Sequence, residues 1–216
     1  MDRRVLVVGG GIAGVQASLD LAGMGIPVTL VEEKPSIGGR MSQLDKTFPT
    51  NDCSTCILSP KLVELASHPN ITLRAYSTIE QVERVGGKNT GNGDNKGRFE
   101  VRIRRRARYV DEDKCKACGL CAEKCPVKIP DMFNRGIVDT KCIGIPYAQA
   151  VPAVFRIEAE HCLYLTKGKC GNCAKVCSAG AIDFKQTDRL EKETFDSIIL
   201  AVGCEEYTPS IRPEFG

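Results

Sequence analysis

Arg4-Val5-Leu6-Val7-Val8-Gly9-Gly10-Gly11-Ile12-Ala13-Gly14 is the stretch whose reading decides the fold. A short β-branched run feeds directly into closely spaced glycines. Ala13 through Met24 then reads as a helix, with Val15, Leu19, Leu21 and Ala22 on its apolar side. A second strand, Pro27-Val28-Thr29-Leu30-Val31, ends at Glu32. Strand, glycines, helix, strand and acid together make the βαβ dinucleotide pattern. Gly9 is expected to form the tight turn, Gly11 to let backbone approach a pyrophosphate, and Gly14 to let helix and strand pack closely. The helix N-terminus would turn unpaired N–H groups toward the phosphates. Glu32, 18 positions after Gly14, would accept hydrogen bonds from ribose hydroxyls. GxGxxG alone is a weak signal, and a ligand-free glycine turn is its plain alternative. The full context favours a nucleotide site.

Two cysteine strings carry the second half of the chain: Cys115-x2-Cys118-x2-Cys121-x3-Cys125-Pro126, then Cys162-x7-Cys170-x2-Cys173-x3-Cys177. The first matches the bacterial ferredoxin ligand run, and the second is the same run with one widened gap. Three thiolates from a tight loop cover one face of a cubane and a remote fourth closes it. In two-cluster ferredoxins the fourth cysteine of each run serves the other cluster. The expected sets are therefore Cys115, Cys118, Cys121 and Cys177 for one 4Fe–4S cluster, and Cys162, Cys170, Cys173 and Cys125 for the other. Structural zinc in paired C-x2-C knuckles is the competing reading, but it leaves the triple-plus-one run and Pro126 unexplained.

Composition bounds the rest. The chain has 216 residues and 12 cysteines, with 42% hydrophobic and 26% charged residues and a formal charge of +3. Cysteines in such number without a secretory signal suit metal ligation in a reducing cytoplasm better than disulfides. The opening residues pass straight into a strand, which leaves no room for a signal peptide's apolar core, and no apolar run reaches membrane-spanning length. The positive charge is no argument for nucleic acid, because two cubanes with four thiolates would each bring roughly two negative charges. Arg102, Arg104, Arg105, Arg106 and Arg108 are expected on a solvated strand face, since Phe99, Val101 and Ile103 alternate with polar residues there. A glycine- and asparagine-rich loop over 86–97 should join Ile79–Val85 to a strand over Arg98–Arg108. Residues 1–108 are assigned to the nucleotide fold, 109–187 to an inserted two-loop cluster module, and 188–216 to the fold's return.

Gly38-Gly39-Arg40, just past the second strand, resembles the GG motif of two-dinucleotide-binding-domain flavoproteins. Phe195 through Gly203 resembles their returning strand, with Val202 where that motif carries Thr. FAD is therefore favoured over NAD, held by Gly9, Gly11, Gly14, Glu32, Gly39, Arg40 and Gly203. The expected fold class is an α/β, Rossmann-like FAD/NAD(P)-binding flavoprotein with an inserted α+β two-cluster ferredoxin-like module. Met41 through Leu62, with its Asp52-Cys53-Ser54-Thr55-Cys56 core, and His68-Pro69-Asn70-Ile71 resemble the A subunit of heterodisulfide reductase. They also resemble the A subunit of the quinone-interacting membrane-bound oxidoreductase complex. The resemblance runs through the cluster insert to Ala201-Val202-Gly203. It implies a cytoplasmic flavin–iron–sulfur oxidoreductase subunit of a larger complex, whose terminal substrate is reduced on another subunit. A hydrogenase or a ferredoxin-type donor would supply electrons. Flavoproteins of this class continue past residues 209–216, so a truncated gene product, a fragment or half of a split subunit is expected, with FAD affinity correspondingly open.

Four cysteines fall outside the ferredoxin set. For Cys53-x2-Cys56 three roles stay open: a dithiol exchanging electrons with flavin, two ligands of a third cluster, or inert buried thiols. Ligation is favoured. Cys142 and Cys204 read as spare buried thiols, and His68 and His161 as packing or surface residues. No general acid, base or nucleophile is identified, and electron transfer needs none. The leading expectation is a relay between FAD and 4Fe–4S clusters. The rival is a ferredoxin-like carrier with a degenerate, flavin-free nucleotide fold. A pyridine-nucleotide-dependent reductase is disfavoured because no second GxGxxG follows.

Overall fold

The structure is a computed structural model that describes residues 3–86 and 97–204, together with residue 214. β1 (Val5–Val8), α1 (Ile12–Gly23), β2 (Val28–Glu32), α2 (Ser54–Ser67) and β3 (Ile71–Ala75) open the chain, followed by β4 (Ser77–Val85) and β5 (Arg98–Arg105). The cysteine-rich segment holds α3 (Leu120–Glu123), β6 (Lys128–Pro130), β7 (Asp139–Lys141), β8 (Ile143–Gly144), β9 (Arg156–Ile157), α4 (Leu163–Lys167) and α5 (Asn172–Val176). β10 (Arg189–Phe195) and β11 (Ser197–Leu200) complete the described fold.

Side-chain alternation along the first two strands builds three layers. The central sheet has the order β11-β1-β2-β3, and all its pairs are parallel. Val5, Val7, Val28 and Leu30 pack with Val15 of α1 and Leu58, Leu62 and Leu65 of α2. Leu6 and Val31 point the other way, onto Val101, Ile103 and Phe195 of an antiparallel sheet ordered β10-β5-β4. A strand's period of two thus feeds both interfaces from one apolar run. Each fully buried side chain of this size contributes about 1.5–3 kcal/mol, so this layering outweighs the weak intrinsic preference of a four-residue strand.

Several boundaries differ from expectation for local reasons. α1 begins at Ile12, one residue early, with Gly11 as its extended N-cap. Phe195 closes β10 instead of opening the returning strand. Asp196 makes the corner: its backbone N–H donates to Arg4 O, and its carboxylate accepts from Arg4 N at 2.9 Å. β5 ends at Arg105, and Arg108 is not on a solvated face. Its side chain is 2% exposed, donating to Pro35 O at 2.6 Å and to Glu112 at 2.7 Å. Burial lowers its pKa, and Glu112 pulls the other way. Arg104 and Arg105 do behave as expected, pairing with Glu80, Asp188, Glu112 and Glu191 at the half-exposed surface. Val85 pairs with Arg98, so β4 and β5 are antiparallel partners. Most of the polar loop joining them, residues 87–96, and the end over 209–216 apart from Glu214 lie outside the described residues.

The cysteine-rich segment docks on the loop that follows β2. Ile37 N donates to Val151 O at 2.8 Å, Ser36 Oγ to Pro152 O, and Tyr147 OH to Ile37 O. Gln43 Nε2 reaches Phe133 O at 2.7 Å, and the Phe133 and Tyr147 rings stack at 5.1 Å. Its own core gathers Val110, Ile143, Val154, Phe155, Ile157 and Ala181 around Cys121 and Cys142.

Candidate functional site

Three chain segments meet at the head of α1. Gly9 has φ +106°, and a Cβ there would stand 2.3 Å from Ala201 O. A Cβ on Gly14 would stand 1.9 Å from Gly9 O. Both positions are closed to any side chain, so the returning strand can lie directly on the turn. Gly11 differs. A Cβ there would meet only Gly39 Cα at 3.9 Å, leaving an open groove between the turn and Gly38-Gly39-Arg40. From the other side, a Cβ on Gly39 would press to 2.8 Å of Gly11 Cα. No side chain caps α1, so its first N–H groups remain available to an anion at this groove. The cradle therefore suits a dinucleotide phosphate.

Glu32 is 6% exposed and already engaged. One carboxylate oxygen accepts from Gly10 N at 2.6 Å and the other from Lys34 N at 2.7 Å. Burial raises its pKa, against the pull of these two N–H groups. It thus shapes the glycine turn itself, a role that spacing alone did not reveal, while each oxygen keeps a second lone pair for a ribose hydroxyl. Arg40 is exposed, with a long contact to Gln43 at 3.4 Å. Gly203 has φ +75° and opens onto free space, two residues beyond Ala201.

The two cysteine loops fold as a repeat. Gly119 (φ +86°) and Gly171 (φ +83°) each take the left-handed conformation that launches α3 and α5. Val110 bridges to Ile182, joining the start of the module to its end. Two recesses result. One, of about 510 Å³, is lined by Cys115, Cys118, Cys121 and Cys177, with Val110, Phe155 and Ala181 behind them. The other, of about 350 Å³, is lined by Cys125, Cys162, Cys170 and Cys173, with Val127, Ile143 and Ile157. Each recess collects three cysteines of one string and the last cysteine of the other. Burial pushes the Cys121 thiol up to about 12 and Cys173 up to about 11, with neighbouring thiols adding to both shifts. Among the described residues no three Cys, His, Asp or Glu side chains converge on one ion. The sulfurs ring cavities instead, and that donor set suits a thiolate-held body larger than an ion.

Cys53 and Cys56 depart from the favoured expectation. The structure joins them in a disulfide at the start of α2, where Cys53 Sγ also accepts from Cys56 N at 3.2 Å. A sulfur bonded to sulfur has no thiolate to give iron, so in this state neither serves a third cluster. Their exposure also departs from the buried alternative. Pro60, inside α2, removes the N–H that would bond the Cys56 carbonyl and loosens the helix turn that carries the pair. Cys204 is exposed, not buried, because it lies beyond β11. Cys142 is buried as expected, 2% exposed, yet it lines the smaller recess with the four cysteines there. Its place between β7 and β8 could not be read from spacing, since it belongs to neither string.

Cradle and thiol-lined recesses in one chain define a flavin- and iron–sulfur-type oxidoreductase architecture. Family comparison agrees, with residues 4–90 matching the FAD dependent oxidoreductase family and residues 108–131 the 4Fe-4S binding domain. Over its whole length the chain is 45% identical to the iron-sulfur A subunit of the CoB–CoM heterodisulfide reductase of Methanocaldococcus jannaschii, covering 31% of that protein. It is 49% identical over 213 residues to the second iron-sulfur A subunit of the Methanopyrus kandleri enzyme, 99% of this chain and 30% of that one. Identity is 42% over 216 residues to the A subunit of the H2:CoB-CoM heterodisulfide,ferredoxin reductase of Methanothermobacter marburgensis, all of this chain and 30% of that one. The chain is thus similar over its whole length to heterodisulfide reductase A subunits, and it spans about a third of the length of these curated relatives.

Proposed function

We propose that this chain relays electrons between FAD and two 4Fe–4S clusters within a heterodisulfide-reductase-like complex. Cys115, Cys118, Cys121 and Cys177 hold one cluster, and Cys125, Cys162, Cys170 and Cys173 the other. The observation that carries this reading is the crossed lining of the two recesses, each drawing its fourth cysteine from the other string. FAD, taking electrons singly or in pairs, would supply exchange with one-electron clusters. The chain's own residues do the holding. Gly9 and Gly14 keep the turn tight, Gly11 and Gly39 leave the phosphate groove, Glu32 fixes Gly10 and reaches the ribose, and Arg40 and Gly203 flank the pocket.

Short chain paths support coupling between the modules. Val110, on the wall of the larger recess, is two residues from Arg108, which bonds Pro35 O. Ile143, on the wall of the smaller, is four residues from Tyr147, which bonds Ile37 O. Four residues span at most about 14 Å, so both recesses lie a short step from the loop carrying Gly38-Gly39. Residues 1–108 and 188–216 are assigned to the flavin fold and 109–187 to the cluster module. Partner subunits carry the terminal substrate site, and a hydrogenase or ferredoxin-type donor feeds the relay, in the cytoplasm. Among the described residues no helix is long and apolar enough to cross a membrane.

The test is anaerobic preparation with iron, sulfide and flavin analysis. Roughly eight irons per chain and releasable flavin fluorescence are expected. Cys118→Ser should remove close to one cluster while the other's signal persists. Zinc at two per chain would refute the cluster assignment, and iron without flavin would leave a flavin-free carrier.

A further inference from the structure

We propose that Cys142 is a reserve ligand of the second cluster, positioned to replace Cys170. This rests on the two-cluster reading above. The recess lined by Cys125, Cys162, Cys170 and Cys173 has a fifth cysteine on its wall, Cys142, outside both strings. A cubane has four corners, so one of five thiols is surplus at any moment.

The two candidates for that surplus place are held very differently. Cys142 is fixed from both sides: its N–H donates to Val127 O at 3.1 Å, and its carbonyl accepts from Glu158 N at 2.9 Å. The residue is 2% exposed, and its Sγ donates to Glu158 O at 3.2 Å. Val127 follows Cys125-Pro126 directly, so the Cys142 backbone is tied to the segment that brings one of the four ligands. Cys170 is exposed, and its backbone sits at φ +102°, a region that costs a residue with a side chain. It also follows the widened gap. It is the ligand most open to solvent, and its release would relax its backbone.

The exchange balances without redox change. The Fe–Sγ bond to Cys170 breaks and an Fe–Sγ bond to Cys142 forms. The proton that Cys142 had shared with Glu158 O passes to the released Cys170 thiolate. No electron moves, and the cluster stays within its recess.

The test uses the 216-residue chain reconstituted anaerobically with iron and sulfide, read by iron content and by the EPR spectrum of the reduced protein. About eight irons in the parent establish the two-cluster reading by itself. Given that, Cys170→Ala should keep close to the parent iron content, with one altered EPR signal. Cys170→Ala/Cys142→Ala should lose about four irons. Loss of those irons in the single variant overturns the proposal, as does their retention in the double variant. Should Cys170→Ala lose both signals through misfolding, chelation kinetics decide the matter. Cys142→Ala alone should then release one cluster's iron to a chelator several-fold faster than the parent, and equal rates overturn the proposal.

Discussion

The glycines at the head of α1 are alike in the sequence and unlike in their surroundings, and that difference is testable. Gly9→Ala and Gly14→Ala would drive a methyl to 2.3 Å and 1.9 Å of backbone oxygens. Both should lose structure, seen as a fall in thermal midpoint and poor recovery. Gly11→Ala meets only ordinary contact with Gly39 and should change stability by no more than about 1 kcal/mol as an N-cap substitution. It should nevertheless cut flavin content, because its methyl occupies the groove that suits the phosphates. Unchanged flavin content in a well-folded Gly11→Ala chain would remove that role. Spacing sets these glycines apart in kind, since the turn and the strand contact follow from the pattern itself. Glu32 was less legible, because its burial and its grip on Gly10 and Lys34 depend on how the loop after β2 folds back. Glu32→Gln offers one acceptor oxygen to the two N–H donors, much as the protonated carboxyl does, and removes the titration. The Glu32 pKa is raised by burial, so its folded form holds the proton more tightly than the unfolded chain. Its contribution is therefore complete below the ordinary value of 4.5 and falls as pH climbs through the folded value. Denaturant titrations across that window should show the parent losing stability relative to the Gln variant as pH rises.

At the scale of elements, the contact between the cluster module and the loop after β2 decides whether the two halves act together. Arg108 is its centre. Its guanidinium donates to Pro35 O, pairs with Glu112 and lies 5.4 Å from the Tyr76 ring. Five arginines in a short span look solvated by pattern, and for Arg104 and Arg105 they are. Arg108 escaped because its burial is imposed by a loop more than seventy positions earlier, a separation no local period records. The same reason hid the strap over residues 145–155, which carries no motif yet makes the Ile37 and Ser36 contacts. Arg108→Met keeps apolar bulk and removes the donors. The half-exposed Glu112 can turn to water, so the loss should be about 1–3 kcal/mol. Hydrogen exchange should quicken over residues 145–155 and around Ile37, and less so in β1. Uniform protection across these segments would mean that the strap holds without its arginine.

For the whole molecule, the twelve cysteines divide by environment in a way that labelling can read. Eight stand on the walls of two recesses, with Cys142 beside them as a ninth. Two are joined to each other at the start of α2, and Cys204 stands exposed past β11. The eight stand out in the sequence because they fall in two closely spaced strings, and the fold brings each string's last cysteine to the other's recess. Cys53-x2-Cys56 leaves three roles open in the sequence, and Cys142 and Cys204 belong to no spaced set, so their surroundings show only in the fold. Iron holds a ligating thiolate against alkylation, and a disulfide does so until it is reduced. In the anaerobic, iron-replete chain, Cys204 should therefore label at once, read by peptide mass. Cys53 and Cys56 should label only after mild reduction, because both are exposed and bonded to each other. The recess cysteines should label last, after iron is chelated, and Cys142 with them because it is enclosed by the same walls. A Cys53–Cys56 pair that resists labelling after reduction and opens only with iron removal would restore the third cluster that the sequence favours. Labelling on reduction alone would leave this pair as an exposed dithiol and confine the iron chemistry to the two recesses.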